Sequence, residues 1–416
     1  MEYFEEIQDR VILIGVQADR GDDMEESLDE LGELAATAGA AVAGRIIQNR
    51  EAVHPGTYIG KGKIEEVKGL LYALDANGVI CDDELSPAQM NNLERELECK
   101  VMDRTLLILD IFAKRAVTSE GKIQVELAQL RYRSARLVGL RSSLSRLGGG
   151  IGTRGPGEKK LETDRRLIRN RISALKQELS QVEKHRELIR SRRAVGNLKT
   201  AAIVGYTNAG KSTLLNQLTN AGIPANNRLF DTLDTTSRQL TVSDNLDVIL
   251  SDTVGFISKL PHHLVNAFHA TLEELEYADL LLHVIDASDP NLEKHVAVVD
   301  RLIAQLAKPG TPVLKCYNKA DLVYSEDIPK GKDIVAISAK RGKNMDGLLK
   351  AIEETLGHSR HHVILRFPYD KGGMVETLHD NAQVKKVEYT EAGIEVETVL
   401  DPILYGRLAQ YIVKEC

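Results

Sequence analysis

The residues best suited to chemistry form a glycine-rich run that ends in lysine and serine. Residues 205–212 read GYTNAGKS, which matches GxxxxGK[ST], and they lie between an apolar run at 201–204 and a helical pattern at 213–219. Glycines allow successive backbone N–H groups to converge on an anion, and a helix N-terminus adds its positive end. The pattern predicts that Lys211 reaches the β- and γ-phosphates of a nucleotide and that Ser212 ligates Mg²⁺.

Two later motifs indicate which nucleotide is bound. Residues 252–255 read DTVG, so Asp252 is expected to hold a Mg²⁺-bound water and the Gly255 N–H to sense the γ-phosphate. Residues 318–321 read NKAD, and the carboxylate of Asp321 can accept hydrogen bonds from N1–H and the amino group of guanine. Adenine lacks this pair of donors and would leave the buried acid unpaired. The order phosphate, Mg²⁺, base predicts a GTP site.

Further positions belong to the predicted site, and two of their assignments leave alternatives open. The backbone of 338–340, SAK, can approach guanine O6. Within LFDTLDTTSR at 229–238, Thr232 and Thr236 both qualify as the threonine that completes Mg²⁺ coordination, and Thr232 is favoured. Asn208 is either a ligand for a monovalent cation such as K⁺ or a side chain that stabilises the loop.

The residue after Gly255 bears on the rate of hydrolysis. Ras-like GTPases place a glutamine there to orient the attacking water. This chain has Phe256, whose ring neither donates nor accepts a hydrogen bond. Slow intrinsic hydrolysis is therefore expected unless a partner or another group positions the water.

The complete predicted site falls into three sets of residues. The catalytic set is Lys211, Thr232 and Gly255, and the metal ligands are Ser212, Thr232 and Asp252. The nucleotide-binding set is Gly205, Tyr206, Thr207, Asn208, Ala209, Gly210, Lys211, Ser212, Thr213, Phe230, Asp231, Thr232, Leu233, Asp234, Asp252, Thr253, Val254, Gly255, Asn318, Lys319, Ala320, Asp321, Ser338, Ala339 and Lys340.

The predicted site residues must be positioned by the surrounding strands and helices. The alternating strand and helix patterns of the sequence predict an α/β multidomain chain. The expected domains are a small α/β domain with a parallel sheet (1–118), an antiparallel helical hairpin (119–196), a P-loop G domain with a doubly wound, mostly parallel sheet (197–358) and a small α+β domain (359–416).

The hairpin is predicted from its spacing and its charge. Apolar residues recur every seven positions within 123–144, and near a 3.5-residue period within 161–189. Residues 131–199 contain 19 Lys and Arg against 6 Asp and Glu, a net charge of +13, although the whole chain carries −7. The glycine-rich tip at 147–160 is also basic, which favours contact with RNA phosphates. The alternative is a solvated helical surface with a flexible turn.

Bulk properties indicate a globular chain of several domains. It has 416 residues, of which 43% are hydrophobic and 28% charged. No apolar run is long enough to span a membrane, and the acidic start lacks a signal-peptide core. The four cysteines are scattered and form no CxxC pair, which is typical of a reducing cytosol. The expected location is the cytoplasm, with peripheral membrane association left open.

With these motifs in place, the chain resembles the HflX family of translation-associated GTPases (Obg-HflX-like, TRAFAC class) along nearly its whole length. The glycine loop followed by LETDRR is the most specific feature of the resemblance. Asp231 and Thr235 depart from the family, where a small apolar residue and a proline are usual. The segments that carry the resemblance are YIGKGK (58–63), RLGGGIGTRGPGEKKLETDRR (146–166), GYTNAGKST (205–213), LFDTLD (229–234), DTVGFI (252–257) and NKAD (318–321).

The resemblance implies binding to the large (50S) ribosomal subunit, where the hairpin and its tip would meet ribosomal RNA. It also implies dissociation of stalled or idle ribosomes, with hydrolysis stimulated by the ribosome. Some members are reported to bind ATP through the N-terminal domain, and residues 60–63 either contribute to that or form a turn before a helix. A monomer is expected.

Two other functions compete with ribosome splitting. The first is a GTPase that assembles large subunits without splitting mature ribosomes. The second is a signalling GTPase whose hairpin is a coiled-coil arm for protein partners. The +13 segment favours the two ribosomal functions, because a coiled-coil arm more often mixes its charges evenly.

Overall fold

The computed structural model describes residues 9–18, 23–144, 156–195, 198–219, 222, 229–230, 236–243, 246–259, 274–357, 361–400 and 402–415. The chain divides into two units. The first comprises Met1–His185, Pro224–Thr235 and Val254–Leu272, and the second comprises Arg186–Ile223, Thr236–Thr253 and Glu273–Cys416. Every helix in the described ranges is too short or too polar to traverse a bilayer.

The first unit contains a parallel sheet in the order β2-β1-β3-β4, as the α/β prediction requires. Strand β2 was not foreseen from the sequence, because it is an edge strand in which Ile46 alone is buried. The strands are β1 (Arg10–Gln17), β2 (Ala41–Asn49), β3 (Gly78–Cys81) and β4 (Lys100–Asp103). The helices beside them are α1 (Met24–Ala38), α2 (Lys61–Ala73), α3 (Pro87–Leu97) and α4 (Arg104–Arg115).

The helices of this unit begin where side chains satisfy their first N–H groups. Asp23 accepts a hydrogen bond from the Glu26 N–H at the start of α1. Ser86 and Gln89 form a capping box at the start of α3. Asp103 accepts from the Leu106 N–H at the start of α4. These caps fix the helices at the carboxyl ends of the strands, where open α/β sheets bind ligands.

Two long helices follow, α5 (Ser119–Leu144) and α6 (Pro156–Val195). The Arg171 guanidinium donates two hydrogen bonds to the Glu126 carboxylate, at 2.7 and 2.8 Å. These residues lie at similar distances from the connecting segment, so the helices run side by side there, as the hairpin prediction requires. Helix α6 already begins at Pro156, a residue suited to a first helical turn. The rest of the tip, 147–155, lies outside the described residues.

A buried carboxylate anchors α5 to the N-terminal sheet. Asp103 is fully buried and accepts hydrogen bonds from the Leu85 N–H (3.0 Å), the Tyr132 hydroxyl (2.8 Å) and the Arg136 guanidinium (2.8 Å). Arg136 also lies over the Tyr132 ring, 3.2 Å from its centroid. A buried charge is stable only when it is paired and hydrogen-bonded. Because two partners of Asp103 lie on α5, these bonds hold the base of the hairpin against the sheet.

The second unit contains a six-stranded sheet in the order β10-β9-β8-β5-β7-β6. Only β6 is antiparallel to its neighbour among the pairings described, so the mostly parallel sheet is confirmed. The strands are β5 (Lys199–Gly205), β6 (Thr236–Ser243), β7 (Leu246–Asp252), β8 (Leu280–Asp286), β9 (Val313–Asn318) and β10 (Ile334–Ala336). The helices that carry the argument are α7 (Lys211–Thr219), α8 (Leu292–Leu306) and α9 (Met345–Gly357).

The C-terminal segment of this unit forms an antiparallel sheet in the order β12-β13-β11-β14. With a helix after β11 and another after β13, this is the βαββαβ arrangement of ferredoxin-like domains. The last strand, β14, was not foreseen from the sequence. The elements are β11 (His361–Phe367), α10 (Gly373–Asn381), β12 (Gln383–Thr390), β13 (Gly393–Leu400), α11 (Pro402–Leu408) and β14 (Ile412–Glu415).

The two central strands of this small sheet use one face for the core and one for ion pairs. Val363 and Leu365 are buried. On the other face, His362 contacts Glu397 at 2.8 Å and Arg366 contacts Glu395 at 2.7 Å. RNA-binding sheets of similar topology carry stacking aromatic residues on this face. The described part of this face carries salt bridges instead, so it offers no such platform.

Candidate active site

The phosphate loop forms the turn between β5 and α7, as the sequence predicts. A Cβ on Gly205 would lie 2.3 Å from the Val284 carbonyl oxygen. Gly210 has a φ of 95°, and a Cβ there would lie 2.2 Å from Asn318 Nδ2. Side chains are excluded at both positions, and the left-handed φ of Gly210 disfavours any other residue. Close packing therefore requires glycine at both motif positions.

A single buried amide joins the phosphate loop to the base-recognition segments. Asn318 Nδ2 donates to the Ala209 carbonyl oxygen at 2.8 Å, and Asn318 Oδ1 accepts from the Ala339 N–H at 2.9 Å. Asn318 is 3% exposed, so these bonds are shielded from water. The first residue of NKAD thus fixes the phosphate loop and the SAK loop together.

The four variable side chains of the loop have separate environments. The Tyr206 ring stacks on His295 of α8, with centroids 3.8 Å apart and an interplanar angle of 13°. Ala209 lies in the core beneath the sheet. Asn208 is exposed and has a φ of 61°, a conformation that asparagine tolerates better than most residues. Thr207 is buried.

Lys211 lies at the start of α7 with its ammonium inside the loop. Nζ donates to the Tyr206 carbonyl oxygen at 2.7 Å and to the Gly205 carbonyl oxygen at 3.1 Å. Burial lowers the pKa of Lys211 to about 8, although the nearby Asp252 carboxylate acts in the opposite direction. Incoming phosphate charge would favour the ammonium form, so anion binding and protonation of Lys211 support each other.

Two predicted metal ligands are adjacent. The Ser212 hydroxyl donates to Asp252 Oδ2 at 2.8 Å, and Asp252 is fully buried at the end of β7. A hydroxyl and a carboxylate are hard oxygen donors, and Mg²⁺ uses few protein ligands beside water and phosphate. The pair therefore fits Mg²⁺. No group of three His, Cys, Asp or Glu able to hold a metal exists among the described residues.

The threonine that would complete the metal site stays a prediction. Thr236 is the first residue of β6 and pairs in register with Asp252. The favoured candidate, Thr232, lies outside the described residues, together with Asp231, Leu233 and Asp234. The structure thus describes one of the two candidates and leaves both open.

The base-recognition residues meet at the ends of β9 and β10. Lys319 has a φ of 59°, and its Nζ donates to Asp286 Oδ2 at 2.6 Å. The Asp321 carboxylate contacts Arg341 Nε at 2.8 Å. A hydrogen bond from Ser338 lowers the pKa of Asp321, and Arg341 acts in the same direction. An ionised carboxylate is the form that accepts both guanine donors.

The remaining base-recognition residues frame this carboxylate. Ala320 N–H donates to the Ile337 carbonyl oxygen at 3.0 Å, which holds NKAD beside β10. Ala339 is buried, whereas Lys340 is exposed. The backbone of the SAK loop is thereby held in place by Asn318 and presents Lys340 to solvent.

The DTVG motif is buried throughout. The Thr253 hydroxyl donates to the Ile203 carbonyl oxygen at 2.6 Å, which fixes the chain after β7 to β5. Val254 and Gly255 are buried, and Phe256 is 1% exposed. The Phe256 ring is part of the hydrophobic core and packs there.

Sequence reasoning missed a charged cluster that holds the segment after DTVG on the N-terminal sheet. Arg104, which is 1% exposed, donates to the Ser258 carbonyl oxygen at 3.2 Å and to Glu30 at 2.8 Å. The Ser258 N–H donates to Glu30 Oε1 at 3.4 Å. Lys259 pairs with Asp82, which follows β3. We call these five residues the clasp.

The charges of the clasp stabilise one another. Burial would raise the pKa of Asp82, but Arg104 and Lys259 offset this effect and the pKa is lowered. Arg104 and Ser258 are 154 positions apart, and no motif links them. In the sequence, the one feature that points to the clasp is the acidic pair Asp82-Asp83 directly after a buried strand.

Phe230 also has a role that its sequence position did not indicate. Its ring meets Phe112 of α4 edge to face, with centroids 4.7 Å apart, and it is 2% exposed. Leu229 beside it is buried as well. The start of the predicted first switch loop therefore packs on the N-terminal domain, and the Phe230 side chain is used in that packing.

Three family profiles match successive parts of the chain. "GTP-binding GTPase N-terminal" matches residues 25–113, "GTP-binding GTPase Middle Region" matches 115–193 and "50S ribosome-binding GTPase" matches 200–319. GTPase HflX of Lacrimispora saccharolytica is 53% identical over 408 residues, covering 97% of this chain and 96% of the relative. GTPase HflX of Escherichia coli is 42% identical over 405 residues, covering 96% and 95%.

A solved structure shows a looser similarity. The GTP-binding protein of Sulfolobus solfataricus in complex with GDP is 24% identical, with a TM-score of 0.45 and coverage of 84% of this chain and 99% of that chain. At this level of similarity the comparison supports no assignment of individual residues. The roles of the individual site residues stay predictions.

Replacing Asp321 by Asn should change which base is preferred. The amide keeps one acceptor but presents a donor to the guanine amino group, so GDP affinity should fall by roughly 100-fold or more. A xanthine nucleotide carries a carbonyl where guanine carries that amino group. The affinity of the Asp321→Asn variant for xanthine nucleotides should therefore rise. Competition with a fluorescent GDP analogue measures both.

Asp327→Asn is the matched control, because it makes the same chemical change at an exposed position of the same loop. Its affinities should equal those of the unmodified protein. If Asp321→Asn lowered the affinity for guanine and xanthine nucleotides equally, the carboxylate would have no role in reading the base.

Proposed function

The chain belongs to the HflX family of GTPases, and from this premise we propose that it binds the large ribosomal subunit and dissociates stalled or idle ribosomes, with hydrolysis stimulated by the ribosome. GTP hydrolysis itself follows from the family and the P-loop domain. The proposal concerns where that hydrolysis is used.

The site supplies the parts that GTP hydrolysis requires. Lys211 and the loop N–H groups bind and orient the phosphates, while Asp321 holds the base. Ser212 and Asp252 are the residues that we propose hold Mg²⁺, which when bound neutralises charge on the β- and γ-phosphates. Phe256 cannot orient water, so slow turnover in the absence of a partner is expected.

We also propose that Asn208 is a K⁺ ligand. It is exposed within the phosphate loop, where a monovalent cation would add positive charge near the phosphates. The alternative is a side chain that only stabilises the left-handed turn. Equal turnover in K⁺ and in Na⁺ would favour that alternative.

The observation that carries the ribosomal proposal is the anchored, basic hairpin. Four exposed cations of α6, Arg166, Arg169, Lys176 and Lys184, fall within an arc of about 80° at 100° per residue. The buried Leu175 lies on the other side of the helix. A row of cations on one face suits the phosphate backbone of RNA, and Asp103 fixes the base of the hairpin.

Three predictions about partners and location accompany this proposal. The N-terminal domain is proposed to bind ATP near the start of α2, although the Gly60 N–H already donates to Gln48 and Lys63 pairs with Glu66. The protein is proposed to be monomeric and cytoplasmic. The ribosomal function does not depend on any of these three predictions.

Light scattering separates splitting from subunit assembly. Purified protein and GTP, added to intact ribosomes, should lower the scattered intensity as subunits separate, and GDP in place of GTP should have a smaller effect. Unchanged scattering, with binding only to immature large subunits, would instead support the assembly GTPase.

The tip should act as the sensor of ribosomal RNA. Replacing Arg154, Lys159 and Lys160 together by Ala should lower ribosome-stimulated hydrolysis by about 10-fold or more at moderate salt, because each lost phosphate contact removes counterion release. Basal hydrolysis should not change. The steady-state GTPase rate, with and without large subunits at two salt concentrations, measures this.

The matched control replaces three exposed lysines of the second unit, Lys308, Lys330 and Lys332, by Ala. It removes the same charge away from the hairpin. Equal effects of the two triple variants, or equal loss of basal and stimulated rates in the tip variant, would contradict a sensor at the tip.

A further inference from the structure

The second variable residue of the phosphate loop has a buried hydroxyl without a hydrogen-bond partner among the described residues. This residue is Thr207, which is 7% exposed. Its neighbours all have assigned environments, since Tyr206 stacks on His295, Asn208 faces solvent and Ala209 lies in the core. Among these four loop residues, Thr207 alone combines a buried side chain with a hydroxyl that has no partner.

A buried hydroxyl without a partner costs free energy, and folded proteins leave few such groups. Valine would fill the same volume without that cost. Thr253 provides a comparison within the same unit, because its buried hydroxyl donates to the Ile203 carbonyl oxygen at 2.6 Å. An unpaired hydroxyl within a loop built to bind phosphates therefore indicates that the ligand supplies the partner.

GTP hydrolysis needs a group of the kind that Thr207 offers. Hydrolysis of GTP requires a group that orients the attacking water or the γ-phosphate, and Phe256 at the usual position cannot do so. Lys211 and Ser212 already serve the phosphates and the metal. Among the loop side chains, Thr207 has a hydroxyl that can both donate and accept.

We propose that the Thr207 hydroxyl hydrogen-bonds the γ-phosphate end of GTP, either a γ-phosphate oxygen or the water that attacks Pγ. In the step itself, the water oxygen bonds to Pγ while the bond from Pγ to the β–γ bridging oxygen breaks. GDP leaves with that electron pair. One hydrogen of the water stays on the phosphate and the other is released to solvent, so Thr207 holds its partner and is unchanged.

The test compares Thr207→Val, which keeps the shape and removes the hydroxyl, with Thr207→Ser, which keeps the hydroxyl. Single-turnover hydrolysis without ribosomes should slow by about 10- to 100-fold in the valine variant and by less than about threefold in the serine variant. GDP affinity should stay within about threefold of the unmodified protein in both, because GDP has no γ-phosphate.

Affinity for a non-hydrolysable GTP analogue distinguishes the two contacts. If it falls with the rate in Thr207→Val, the hydroxyl binds the γ-phosphate, and if only the rate falls, the hydroxyl holds the water. Thr219→Val is the matched control, because its hydroxyl bonds to the Leu215 carbonyl oxygen at the end of α7. That variant should hydrolyse GTP at the normal rate.

Two results would overturn the proposal. Hydrolysis by Thr207→Val at the rate of the unmodified protein would show that the hydroxyl is not used. A loss of GDP affinity as large as the loss of rate would show that Thr207 serves the shape of the loop. Both are measured without ribosomes, so neither depends on the ribosomal function.

Discussion

The side chain of Asn318 is the constraint on which the nucleotide site depends. Its amide nitrogen holds the phosphate loop through Ala209, its oxygen holds the SAK loop through Ala339, and Gly210 must be glycine to leave room for it. The loop predicted to bind phosphates and the segments predicted to read the base are therefore held together at the carboxyl ends of parallel strands. A loss of this amide would leave two buried backbone groups unpaired at once.

The clasp imposes a similar constraint within the first unit. In the order β2-β1-β3-β4, the chain runs from β1 outward to β2 and then crosses back to β3 on the other side of β1, so the strand order reverses between β1 and β3. Ligands of open α/β sheets bind at such a point. Asp82, which follows β3, instead binds Lys259 of the same chain. The two residues Ser258 and Lys259, which follow DTVG closely, thus contact the carboxyl-end side of this sheet, and Arg104 and Glu30 hydrogen-bond Ser258.

Local signals in the sequence place the nucleotide motifs at the ends of strands, because each motif consists of consecutive residues. Gly205, Lys211 and Asn318 lie where the motifs require. Strands β2, β6 and β14 were missed because each is an edge strand with at most one buried side chain. The clasp could not be foreseen, since the pairing of Arg104 with Ser258 depends on how distant segments fold together.

Calorimetric titration with GDP and with ADP, in the same magnesium buffer, tests the central claim most directly. The account predicts that GDP binds and that ADP binds at least about 100-fold more weakly, because adenine cannot satisfy the Asp321 carboxylate. Equal affinities for the two nucleotides would contradict the assignment of this pocket as a guanine-specific site.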